Sequence, residues 1–359
     1  MGVKPCTGCS ACKNICPQAA IDMIPDEEGF LYPHVNKNSC NGCGLCASVC
    51  PMGKSKAIKD QQKVYGCVNK DFDVKMKSAS GGMFSILADY VLDKGGAVFG
   101  AALDDSCEVR HMMIEDKKDL PKLRGSKYVQ SIIGDTFIQA KEQLEKERLV
   151  LFTGTPCQIA GLKSYLVKSY ENLIAVELIC YGVPSPAVFR KYIKETLATN
   201  GGGAIKSVSF RNKDESWRDY NFIIETTENT INRKGRTEDL YIRGFLNILF
   251  NRPSCMNCDY RGLKSTGDMI IGDYWGVATK FPEFNDDKGV SLVILNTKKG
   301  RRVFSKLTDK MDVVETTYEH ASANNLCLLK SAVPHKNREE FFKDFKEGKS
   351  VIESIEKYL

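Results

Sequence analysis

The chain has no run approaching the ~18 apolar residues that a membrane-spanning helix needs. Its first residues, MGVKPCTG, hold no apolar signal-peptide core. Together these absences lead us to expect a cytoplasmic protein with no membrane partner. A G-x-S-x-G elbow, a Walker phosphate loop and a G-x-G-x-x-G turn are also missing, which sets aside the commonest hydrolase and nucleotide-binding signatures. The four histidines, His34, His111, His320 and His335, fall into no motif. Lysines are scattered rather than gathered in a stripe interleaved with aromatics, so the formal charge of +6 does not argue for nucleic acid. Any chemistry is therefore expected to come from bound cofactors.

Cysteine is what the chain has in quantity, 15 in 359 residues. In a long chain with no signal segment, clustered cysteines read as metal ligands in a reducing compartment rather than as a disulfide framework. The run CTGCSACKNICP, residues 6 to 17, recurs as CNGCGLCASVCP, residues 40 to 51. This is the C-x2-C-x2-C-x3-C-P ligand run of bacterial ferredoxins, in which three thiolates wrap one 4Fe–4S cube and the fourth crosses to the other. Cys6, Cys9, Cys12 and Cys50 are thus expected to hold one cluster, and Cys40, Cys43, Cys46 and Cys16 the second. Pro17 and Pro51 turn the chain away after each crossing cysteine. Zinc sites would instead use two separated C-x2-C pairs. A cubane held by four thiolates carries about −2 when oxidised, so three of them would offset the +6.

Beyond this module the text alternates helix and strand. Met83, Phe84, Ile86, Leu87, Tyr90 and Val91 recur at helical spacing over 82 to 93, with Ser80 placed to cap the helix and Gly81 and Gly82 leaving its start open to an anion or simply capped. A helix is expected at about 135 to 147. A buried strand at 149 to 153 leads into the turn Thr153, Gly154, Thr155, and a second strand runs to Cys180. Loops at such strand ends are where open α/β sheets keep ligands. Residues 205 to 233 alternate as antiparallel strands, and Arg211, Lys213 and Trp217 on their polar loop are expected to form a solvated turn. Cys255 and Cys258 make a lone C-x2-C. With Cys157 and Cys180 they number four, enough for a third cluster, a small zinc site, or unrelated thiols. Cys67, Cys107 and Cys327 read as buried small hydrophobes.

The segments SASGG, GSKYVQS, TGTPCQIAGL, LICYG and CMNCDYR with GDMIIGDYWG occur in this order. As a set they resemble the coenzyme F-420 hydrogenase/dehydrogenase beta-subunit family, which also includes 7-hydroxymethyl chlorophyll a reductase. The resemblance implies an α/β (α+β) fold, a ferredoxin module followed by an FAD-binding domain. It implies a third 4Fe–4S cluster on Cys157, Cys180, Cys255 and Cys258, and flavin contacts at Ser80, Gly81, Gly82, Ser126, Lys127, Tyr128, Thr153, Gly154 and Thr155. The expected divisions are 1–62 for the ferredoxin module, 63–148 and 149–335 for the two parts of the flavin domain, and 336–359 for a helical tail. The expected function is an oxidoreductase joining ferredoxin, or another low-potential carrier, to a two-electron small molecule such as a sugar or sugar nucleotide. A deazaflavin (coenzyme F-420) oxidoreductase and a non-catalytic subunit of a larger redox complex are the alternatives.

Overall fold

The computed structural model describes residues 5–53, 62–262 and 264–359. Of the expected 1–62 module, residues 1–4 and 54–61 lie outside the described residues. In the rest, helix Ala11–Ile15 leads to strands β1 (Ile21–Pro25) and β2 (Leu31–Val35), which pair antiparallel, and then to helix Leu45–Ser48. The two short helices pack against each other, as an internal duplication demands of its halves.

The centre of the molecule is a mixed sheet. Strands β3 (Lys63–Asn69), β4 (Ala97–Leu103), β5 (Val109–Ile114), β6 (Val150–Gly154) and β7 (Leu173–Leu178) enter it first, then β11 (Met269–Asp273), β12 (Ser291–Leu295) and β13 (Met311–Thr316). Their order is β13-β3-β12-β11-β7-β6-β4-β5, with β11, β7, β6 and β4 parallel and the outer pairs antiparallel. The central strands are apolar at consecutive positions because both faces are covered. Leu151 and Ile174 face helix Met83–Leu92, and Phe152 and Ala175 face helices Thr136–Glu145 and Pro156–Leu166. Cys9, Ala11 and Val49 share that second core, which is how the N-terminal module docks.

Between β7 and β11 a second sheet forms from β8 (Ile205–Asn212), β9 (Asn221–Thr226) and β10 (Thr230–Gly235), antiparallel in the order β10-β9-β8. Its core is aromatic: Phe189, Phe210, Phe222, Tyr241, Phe250 and Phe341 are all buried. Helices Arg338–Lys346 and Val351–Tyr358 close it, with Phe341, Phe342, Val351 and Ile355 buried. The tail is therefore part of this core.

Two local expectations are corrected. Ser80 does not cap the helix, since Gly82 starts it at φ 92° with no side-chain cap, and the Ser80 hydroxyl donates to the Val290 carbonyl at 2.7 Å. Nor are Arg211, Lys213 and Trp217 solvated, although Asp214 and Glu215 between them are exposed. Trp217 is buried and stacks on Trp275 at 4.5 Å, Arg211 pairs with Asp273, and Lys213 donates to the carbonyls of Ser80 and Lys288.

Candidate functional site

Three sets of cysteines can be followed through this frame. Cys6 and Cys9 precede helix Ala11–Ile15, Cys12 lies in its first turn, and Cys50 follows helix Leu45–Ser48. Burial pushes the Cys9 thiol up to about 11, with Cys6 and Cys50 adding to the shift. Cys12 rises to about 12 through burial and then through Cys9, Cys6 and Cys50. Cys6 and Cys50 thus lie near Cys9 and Cys12. Cys40 and Cys43 are exposed, while Cys16 and Cys46 are half-buried. The Cys16 sulfur accepts from the Ala20 amide at 3.3 Å.

The third set is assembled by the sheet. Cys157 sits in the first turn of helix Pro156–Leu166, just past β6, and Cys180 lies two residues past β7. Parallel pairing of β6 with β7 sets Gly154 beside Glu177 and so brings those two ends together. The segment carrying Cys255 and Cys258 is tied alongside by Arg252 N–H to Val183 O (2.9 Å) and Ser185 N–H to Phe250 O (3.1 Å). Burial raises the Cys157 thiol far above its ordinary value, and Cys180, Cys255 and Cys258 all add to it. Burial and then Cys180 push Cys255 up to about 12. A metal binding at Cys157 and Cys255 would have to displace their protons. Among the described residues, no three His, Cys, Asp or Glu side chains converge tightly enough for a single metal ion. Thiolates around a cubane, with four irons between them, stand farther apart than those around one zinc at about 2.3 Å.

The first and third sets are neighbours. A Cβ on Gly161, one turn along the helix from Cys157, would lie 2.8 Å from Cys9 Cβ and 2.9 Å from its Sγ. The fully buried Arg252 donates to the Cys6 carbonyl (3.0 Å), the Leu31 carbonyl (2.9 Å) and Gln130 Oε1 (2.9 Å). Its guanidinium also lies over the Tyr32 ring at 4.3 Å.

Beside the third set opens a cavity of about 600 Å3, within the ordinary range for small-molecule sites. Ser80 and Gly82 line it from the start of helix Met83–Leu92, Ser126, Lys127 and Tyr128 from the loop after helix Leu120–Leu123, and Thr153, Gly154 and Thr155 from the end of β6. Gly81 is not on the wall. A Cβ there would meet Cys67 O at 2.3 Å and Ser291 N at 2.6 Å, so this glycine serves close packing on the sheet. The Lys127 ammonium donates to the carbonyls of Lys122 (3.0 Å) and Arg124 (2.7 Å), while burial pulls it down to about 7. Cys180 is on the wall, and Thr155 contributes to it while its hydroxyl contacts Cys157 Sγ at 3.2 Å.

Several wall residues carry no sequence signal. His111 on β5 is buried, with Nε2 donating to the Thr153 carbonyl (3.0 Å) and Nδ1 accepting from Ser131 Oγ (3.0 Å). Burial drives its imidazole down to about 4. Tyr220, Trp275 and Phe245 supply aromatic surface. Cys327, expected as a buried hydrophobe like Cys67 and Cys107, is only half-buried and also lines the cavity. Arg261 donates to its carbonyl and to that of Cys180. No spacing links residue 327 to 180, so only the fold could reveal it.

Comparison with known proteins gives two family matches. Residues 147–320 match the family described as the C terminus of the coenzyme F420 hydrogenase/dehydrogenase beta subunit. Residues 5–54 match the 4Fe-4S dicluster domain. None of the curated proteins matches the chain. Among solved structures, a chain of the xenon-derivatised F420-reducing [NiFe] hydrogenase complex from Methanosarcina barkeri is 18% identical. The alignment covers 84% of this chain and 91% of that one, with a TM-score of 0.48. Residues 147–320 thus match the family that the motifs resembled, behind a stretch that matches a 4Fe-4S dicluster domain.

Proposed function

We propose that the chain is an iron–sulfur flavoprotein that passes electrons between a ferredoxin-type carrier and a two-electron small molecule. The observation that carries this reading is the contact between the third cysteine set and the cavity, through Cys180 on the wall and Thr155 against Cys157. In this reading residues 1–62 take up electrons, 63–148 and 149–335 build the cavity, and 336–359 close the aromatic core. The residues present fit the cofactors. Twelve of the cysteines supply the number that three cubanes would take, and the cavity offers an apolar wall with Lys127 and Arg124 at one side. Cys157, Cys180, Cys255 and Cys258 would hold the third cluster, with Ser80, Gly82, Ser126, Lys127, Tyr128 and Thr153 to Thr155 around FAD. Flavin supplies the step from single electrons to a pair. Protein side chains position both partners and exclude water. A sugar or sugar nucleotide and the deazaflavin are the substrates to try first.

One observation favours a second reading, an electron-transfer subunit serving a separate enzyme. Leu326 is 60% exposed and Tyr181 42%, and both lie at the cavity wall, where a partner protein could cover them. Iron and flavin content after strictly anaerobic purification tests the proposal. About 12 irons and one FAD per chain are expected, since each cubane takes four thiolates. About 8 irons without flavin would overturn it.

A further inference from the structure

Asn251 is fully buried, and neither its Oδ1 nor its Nδ2 has a hydrogen-bond partner among the described residues. Native chains rarely leave a carboxamide so, and such a group points to something that completes it. The backbone here is well anchored. The Asn251 carbonyl accepts from Arg338 Nε (3.1 Å) and Nη2 (2.9 Å), and the residue bridges antiparallel to Pro184. Its orphaned side chain is thus a fixed feature of the fold.

Its surroundings say what is missing. Asn251 Nδ2 lies 2.8 Å from where a Cβ on Gly182 would stand, and Cys255 Cβ lies 3.5 Å from the same point. The Gly182 amide itself donates to Cys180 Sγ at 3.4 Å. The carboxamide and two members of the third cysteine set therefore flank the same residue, Gly182, while Asn251 does not line the cavity. Among the described residues, no carboxylate or carbonyl accepts from its N–H groups. The acceptor that the proposed function would supply at this spot is sulfur.

We propose that Asn251 Nδ2 donates a hydrogen bond to a sulfur of the cluster held by Cys157, Cys180, Cys255 and Cys258, and thereby raises its reduction potential. Hydrogen bonds to cluster sulfur favour the reduced state, which carries one more negative charge. The donor sets how readily this centre accepts an electron from the Cys6 set. This inference rests on the third cluster of the proposed function.

The test compares the anaerobic full-length protein with Asn251→Leu and Asn251→Met, two apolar side chains of similar size, the second able to adapt its shape. Iron content, reductive titration of the third centre by electron paramagnetic resonance, and its exchangeable-proton couplings in H2O and D2O are read together. Both variants should keep about 12 irons, lose one exchangeable coupling, and show a reduction equilibrium constant at least about tenfold lower. That corresponds to about 59 mV for one electron. Twelve irons with unmoved potential and couplings would overturn the role of Asn251 while leaving the cluster. Loss of four irons in both variants would also overturn it, in favour of a purely structural side chain. Eight irons in the unsubstituted protein would remove the cluster and this inference together.

Discussion

His111 shows how much one side chain's surroundings decide. An isolated histidine in a strand could be ligand, base or filler, and its neighbours Thr153 and Ser131 are not adjacent in sequence. With Nε2–H committed to a carbonyl and Nδ1 to a hydroxyl, the ring is neutral and fully occupied. An unfolded chain takes up this proton near the ordinary 6.5, but the folded one only near 4. Stability is therefore held above pH 6.5 and lost as pH falls toward 4, by about 3 kcal/mol. In urea unfolding at pH 7 and pH 4.5, His111→Gln should flatten this acid limb, and an unchanged slope would count against the assignment. Arg211 teaches the opposite lesson. A polar loop suggested solvent, yet Asp273 and Trp275, some 60 residues on, enclose it. Arg211→Met leaves Asp273 without its guanidinium, and a loss of about 3–5 kcal/mol is expected in denaturant unfolding.

At the scale of elements, the regular parts were legible because local pattern decides them. The apolar run at 149 to 153 is β6 at Val150–Gly154, and the helical spacing at 82 to 93 is helix Met83–Leu92. Pairing of successive strands also follows from their length and apolarity, and it brings Cys157 to Cys180. What failed were readings that depend on distant partners. Ser80 has the residue type of a cap, but Val290, on a segment 210 residues away, claims its hydroxyl. Cys255 and Cys258 group with Cys180 in the sequence by number alone, and the bridge that ties their segment along Val183 to Ser185 has no sequence signal. Helix Pro156–Leu166 offers a direct check of how the first cysteine set docks. Gly→Ala inside a helix normally stabilises by about 1 kcal/mol. At Gly161 the added methyl would strike Cys9, so Gly161→Ala should instead destabilise the chain and cost it about 4 irons. Raised stability with full iron would show that the contact is dispensable.

Across the whole molecule, the two ends of the chain are bound together. Glu28, in the β1–β2 turn, receives both Arg338 Nη1 (3.1 Å) and Nη2 (2.5 Å), and Glu27 pairs with Lys346 at 2.8 Å. The helical tail could be read from sequence, but not the surface it covers, since Phe30, Phe189, Phe222, Tyr241 and Phe250 come to that core from separate stretches. Deleting 336–359 uncovers Phe250 and frees the ferredoxin hairpin. Such a protein should bind a hydrophobic dye and lose Glu28's anchor, visible as faster proteolysis within residues 20 to 36. Full protection there would place the docking energy elsewhere.

Arg252 has a consequence for rates. Its guanidinium grips the Cys6 loop, β2 and Gln130 at once and is shut away from water. Many redox chains ferry electrons by a domain that swings between two docking positions, and solvent viscosity slows each swing. This grip leaves no such arm. In the proposed relay, transfer from the Cys6 set to the third set would run at the same rate in buffer and in concentrated glycerol. Viscosity would govern only the encounter of the outside carrier with the exposed loop at Cys40 and Cys43.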